Sequence, residues 1–174
     1  MALSGFMNAQ IATDFFSESR LTIRSEDKTQ KLFEASTEYS YMVLNTTNGD
    51  FMLTTDASKF ITGNLRLDSI LSSKGSQPIV FKGNISENLF LFNQQINDEK
   101  LYNMPGQLTV NTTTIDCVAQ FDPVNYADRT DTKNYRIDLR LSVDPARLSI
   151  ISLESKLNKQ LIIEVKGGKL NIRQ

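Results

Sequence analysis

The chain has 174 residues, 20 of them acidic and 19 basic, with one cysteine and no histidine. A chain of this length fits one domain, burying roughly 70% of its unfolded surface without help from metals or disulfides. Lys and Arg are scattered and do not form a stripe that could neutralise phosphates, so nucleic acid is excluded as a partner. Without histidine there is no Ser-His-Asp or Cys-His arrangement, and one cysteine allows neither an internal disulfide nor a cysteine-based zinc site. No cofactor is implied.

The N-terminal "MALSGFMNAQ" is mildly apolar, ends in small and polar residues and runs into the polar "IATDFFSESR". That is how the tail of a secretory signal peptide looks near its cleavage point. Residues 1–10 are expected to be the remnant of an export signal, cleaved after Ala9 or Gln10, and residues 11–174 one domain. No later run approaches the roughly 18 apolar residues of a membrane-spanning segment.

From residue 20 onward, alternation of period two dominates. Apolar and polar residues alternate in "RLTIR" (20–24), "KLFEAST" (31–37), "DFMLTT" (50–55), "PIVFKGNI" (78–85), "GQLTV" (106–110), "IDCVAQF" (115–121) and "LIIEVK" (161–166). The clearest case is "NYRIDLRLSV" (134–143), with Tyr135, Ile137, Leu139, Leu141 and Val143 on one face and Arg136, Asp138, Arg140 and Ser142 on the other. This is the pattern of half-buried antiparallel strands.

Turn signals separate them. Asn48-Gly49 lies between two apolar runs and predicts a type I′ hairpin; Gly167-Gly168 predicts another, and "VNTTTI" (110–115) a third. In "ITGNLRLDSILSSKGSQP" (61–78), Leu67, Ile70 and Leu71 fall at helical spacing, which predicts a short helix or 3₁₀ turn. "FDPVNYADRTDTKN" (121–134), rich in Asp, Asn, Thr and Pro, predicts a long loop. Asn45-Thr46-Thr47, Asn84-Ile85-Ser86 and Asn111-Thr112-Thr113 match the glycosylation pattern, but such short matches are frequent by chance.

Eight or more short antiparallel strands, tight turns and one crossing helix predict an all-β chain folded as a closed barrel or a sandwich, of which the barrel leaves no unpaired edge. A lumen of that size is either filled by side chains or holds one ligand.

Four stretches carry a family resemblance. "QPIVFKGNI" (77–85), followed about twenty residues later by "YNMPGQLTVNTTTIDCVAQF" (102–121), resembles the Pro-x-x-x-Phe-Lys strand and Gly-x-Leu-Thr hairpin of the YceI-like family. "FEASTEYSYMVLNTTNGDFMLTTDASKF" (33–60) is similar to its opening strand and hairpin, and "YRIDLRLSVDPARLSI" (135–150) to the strand before its last. The resemblance spans about residues 20–166. It implies an all-β, antiparallel up-and-down (lipocalin-like) barrel of about eight strands with a short helix over one side, export to a bacterial periplasm, and a polyisoprenoid or fatty-acid derivative held in the lumen. Two departures stand out. The turn at Asn111 has no glycine, so a longer turn is expected, and the segment before Pro78 is short where the family has a longer helix.

The residues expected to face the lumen are Phe33, Phe51, Phe60, Phe81, Leu108, Val110, Ile115, Cys117, Phe121, Leu139 and Leu141. Ligand pockets are lined this way, and so are packed cores; alternation does not separate the two. Cys117, on one face with Ile115, Ala119 and Phe121, is expected to be a small inward hydrophobe with a raised pKa, not a nucleophile. The carboxylate pairs Glu26 and Asp27, Asp98 and Glu99, and Asp128 and Asp131 sit in polar stretches where solvation keeps them ordinary. The expected function is therefore a non-enzymatic carrier of a long-chain amphiphile, with a packed barrel that engages a protein partner as the alternative. A homodimer is left open.

Overall fold

A computed structural model describes residues 14–27, 30–93, 100–126, 134–148 and 160–172. The alternating stretches become β1 (Asp14–Asp27), β2 (Gln30–Asn45), β3 (Asp50–Asp56), β4 (Pro78–Asn84), β5 (Tyr102–Val110), β6 (Thr113–Tyr126), β7 (Asn134–Val143) and β8 (Leu161–Ile172). Each strand pairs antiparallel with its neighbour in chain order, and β8 returns to pair with β1, closing the barrel. Between β3 and β4 lies the helix α1 (Leu65–Ser73). The Asn64 side chain accepts hydrogen bonds from the amides of Arg66 and Leu67, the capping expected of asparagine at this position.

Closure requires the long strands to bend. Between β1 and β2 the register passes from Ser19 opposite Ser40 to Leu21 opposite Thr37, so β2 carries one extra residue there. The bulge leaves irregular backbone groups, and three hydroxyls serve them. Thr37 Oγ1 accepts from the Tyr39 amide at 3.1 Å, Thr55 Oγ1 donates to the Tyr39 carbonyl at 2.8 Å, and Ser40 Oγ donates to the Ser19 carbonyl. Buried hydroxyls in an apolar interior are tolerated because each has a partner.

A second bulge corrects one sequence expectation. Gly167-Gly168 is not a hairpin turn but lies inside β8, where two residues of β8 oppose one of β7 between Ile137 opposite Gly168 and Leu139 opposite Val165. Glycine suits a bulge as well as it suits a turn. At Gly168 the need is spatial, since a Cβ there would stand 2.4 Å from the Met42 methyl.

The other turns also differ from expectation in detail. The β2–β3 hairpin is present, but its loop has four residues, with Leu44 opposite Phe51 and only Gly49 of the pair at positive φ (79°). Asn45 Oδ1 accepts from the Thr47 amide, and the Asn45 carbonyl accepts from the Gly49 amide, which fixes the longer loop. The β5–β6 turn is tight where a longer one was expected. Val110 pairs with Thr113, and Asn111 supplies the left-handed residue (φ 53°) without a glycine, as asparagine can. Of the loop expected over 121–134, residues 121–126 belong instead to β6, paired with β7, and residues 127–133 lie outside the described residues. By Pro123 the strand has passed the end of β5 and is paired on one side, the position in which a strand tolerates proline. Pro105 likewise lies past the pairing of β5 with β4.

Candidate functional site

The barrel wall presents one face of every strand to the interior. Across the registers, Met42, Leu53, Phe81, Leu108 and Ile115 form one inner row, and Tyr102, Phe121, Leu139, Val165 and Leu21 another. Phe51, Phe81, Phe121 and Leu139 are buried, and with Leu108, Ile115 and Leu141 they belong to one continuous apolar cluster. Each fully buried phenylalanine contributes about 1.5–3 kcal/mol relative to exposure. Val110 and Cys117 pack against the same cluster while half-buried. Phe60 reaches the cluster from the connection after β3, beside the 3₁₀ turn Ala57–Lys59. Phe33 takes the register position opposite Ser25. Ten of the eleven expected lining residues thus converge on one interior, and the eleventh is placed by its backbone alone.

Alternation would equally have found Met42, Leu44, Leu53 and Met104, all buried on inward positions. The inner wall has a further row that the sequence did not flag. Leu44 and Phe51 are followed by Gly83, Gly106 and Cys117, each directly opposite the next. The glycines leave room that large neighbours use. A Cβ on Gly106 would stand 2.8 Å from two carbons of the Phe81 ring and 2.3 Å from the Lys82 carbonyl, and one on Gly83 2.7 Å from Met104 Cγ. Phe81 and Met104 therefore lie over the two glycines on the inner side of the wall. Gly83, Gly106 and Cys117 remain half-buried, whereas Met104, Leu108 and Ala119 beside them are closed. The inner side of both glycines is covered by Phe81 and Met104, so the lining stays apolar and closed over them.

Cys117 behaves as its neighbours require. Burial pushes its thiol above the ordinary range, and the Leu108 backbone and the Arg147 charge oppose this more weakly. The thiol is a wall element with little nucleophilic character.

Other chemistry finds no support among the described residues. No group of three or more His, Cys, Asp or Glu side chains could hold a metal ion. No helix there is long and apolar enough to cross a membrane. Arg24 and Glu164 form an ion pair at 2.8 Å between β1 and β8, on the faces that alternate with inward Ile23 and Ile163. Of the acid pairs considered from sequence, Glu26 and Asp27 are placed by register alone, and Asp98, Glu99, Asp128 and Asp131 lie outside the described residues, as does the N-terminal segment 1–10.

No protein-family model matches the chain, and no curated protein matches it. Its fold, however, is shared with solved structures. One is described as a polyisoprenoid binding domain from Saccharophagus degradans implicated in plant cell wall breakdown; it is 12% identical, with a TM-score of 0.62 over 94% of this chain and 97% of that one. Another is BcnA of Burkholderia cenocepacia, 11% identical, with a TM-score of 0.61 over 87% of this chain and 95% of that one. At these identities the likeness establishes the fold. It is the barrel that the resemblance to the YceI-like family implies.

Proposed function

We propose that the barrel is a non-enzymatic carrier holding a long-chain amphiphile of polyisoprenoid or fatty-acid type, in a bacterial periplasm or outside the cell. The observation that carries this reading is the closed barrel lined by one continuous apolar cluster, from Leu53, Phe81, Leu108 and Ile115 to Phe121, Leu139 and Val165. The shared fold with a polyisoprenoid binding domain supports the choice of ligand class. Affinity in such a lumen comes from apolar area at about 25 cal/mol per Å², which favours long tails and discriminates poorly among headgroups. Phe51, Phe81, Leu108, Ile115 and Phe121 are the wall that a tail would touch, with Phe33, Phe60, Val110, Leu139 and Leu141 extending it.

Organic extraction of freshly purified protein, followed by mass spectrometry, tests the reading. The expected result is a co-purified long-chain species whose yield falls severalfold in Cys117→Phe, a substitution that adds bulk to the inner wall. An empty extract together with an interior filled by side chains in electron density would overturn it. A second reading is favoured by the near-complete burial of Phe51, Phe81, Phe121 and Met104. In that case the barrel is packed solid and acts as a structural or interaction domain.

A further inference from the structure

Six large apolar side chains are exposed among the described residues, and four of them, Tyr39, Ile61, Leu65 and Ile70, belong to one region. Contacts hold it together. Ile61 bridges to Ser36 of β2 through paired backbone hydrogen bonds, and the Lys59 ammonium lies 6.0 Å from the centre of the Tyr39 ring. Thr62 donates from both its amide and its hydroxyl to Asp68 of α1.

The helix covers the core with only part of its apolar set. Leu67, Asp68 and Leu71 are partly buried, Leu71 against the apolar cluster, while Leu65, Arg66, Ser69, Ile70 and Ser73 are exposed at positions that share the opposite face. Leu65 keeps 88% of its surface accessible, and no residue of α1 is buried. The apolar side chains on this face are thus left without a protein partner among the described residues.

Charge says what would cover them. Lys59, Arg66 and Lys74 are exposed along the same stretch. The one carboxylate between Lys59 and Lys74, Asp68, is engaged by Thr62; Asp56 just before the stretch is engaged by the amides of Ser58 and Gln77, and Glu38 is exposed beside Tyr39. Exposed leucine and isoleucine interleaved with cations is the combination that partitions into the headgroup layer of an anionic membrane. We propose that the segment from Lys59 to Lys74, with Tyr39, docks the barrel onto an anionic lipid bilayer. The docking surface lies outside the barrel and does not depend on what the lumen holds.

Flotation with vesicles of phosphatidylcholine, with and without phosphatidylglycerol, tests this on the full chain. Each Lys or Arg near an anionic surface contributes about fivefold in partitioning. Binding to the phosphatidylglycerol vesicles is therefore expected to exceed binding to pure phosphatidylcholine by more than about tenfold, and to weaken in high salt. Lys59→Glu with Arg66→Glu, and separately Ile61→Ser with Leu65→Ser, are each expected to cut it at least about tenfold, the first through charge and the second through lost apolar burial. Val118→Ser, on the exposed face of β6, leaves it unchanged. Absence of binding to anionic vesicles, or binding that both double variants retain, overturns the proposal. So does a dimer in sedimentation that Ile61→Ser with Leu65→Ser dissociates while vesicles stay bare, since a second copy then covers this face.

Discussion

Two residues of the inner wall, Gly106 and Cys117, face each other across β5 and β6 and set opposite constraints. At Gly106 the limit is space. Its added Cβ would meet both the Lys82 carbonyl and the Phe81 ring, neither of which can swing away without leaving the wall. Gly106→Ala is expected to lower stability by about 1–3 kcal/mol, the usual cost of overpacking, read as a fall in the urea midpoint at constant slope. An unchanged midpoint would show that Phe81 has another rotamer available. Cys117 is limited by solvation instead. With its thiol held above the ordinary range, a maleimide at neutral pH should label it slowly in the native protein and at the rate of a free thiol in urea, and the native rate should climb with pH beyond that of a free cysteine. Equal native and unfolded rates at pH 7 would contradict an inward thiol.

Within the β3–β4 connection, Asp56 acts as a clasp. Its carboxylate accepts from the Ser58 amide at 2.8 Å, the Gln77 amide at 3.1 Å and the Ser76 hydroxyl, tying the end of β3 to the entry of β4 across α1. Partial burial pushes this carboxyl up, but the hydrogen bonds from Ser76, Ser58 and Gln77 together outweigh it and hold it well below the usual carboxylate range. A depressed folded-state pKa contributes stability above the unfolded value of about 3.9 and loses it as pH falls through that value towards the folded one. Melting temperature should therefore drop between about pH 5 and pH 3, and drop less in Asp56→Asn; parallel curves for the two proteins would remove Asp56 from the account. Elements like these were legible to different degrees. "NYRIDLRLSV" became β7 without a residue's change, because alternation directly encodes which side of a sheet is wet. Gly167-Gly168 misled in kind, whereas Asn48-Gly49 marked a real hairpin and misled only in turn type, since the letters report backbone freedom and not whether a turn, a bulge or a longer loop uses it. Residues 121–126 misled because their loop-like composition is compatible with a strand that has outrun one neighbour. The row Gly83, Gly106 and Cys117 was invisible for another reason: it runs across strands, and only register brings it together.

At the scale of the whole molecule, the inside-facing rows form one cluster that is continuous only when β8 stands between β7 and β1. Ile163 and Val165 lie opposite Leu141 and Leu139 on one side and Ile23 and Leu21 on the other. Ending the chain at residue 160 should accordingly leave no cooperatively folded remnant, but an aggregating species with two open edges; a sharp thermal transition in the soluble fraction would refute this. The β1–β8 pairing alone joins strands that are not consecutive in the chain, and all-β folds that must close such non-local contacts fold on the millisecond-to-second scale. The seam between β1 and β8 also has a consequence in time. Arg24 and the Glu164 it pairs with are 140 residues apart. At a synthesis rate of about 5–20 residues per second, the first strand waits roughly 7–28 s for the last. For that interval the chain is an open ribbon, and whatever must act on it unfolded, a chaperone or an export channel, has that window in which to do so.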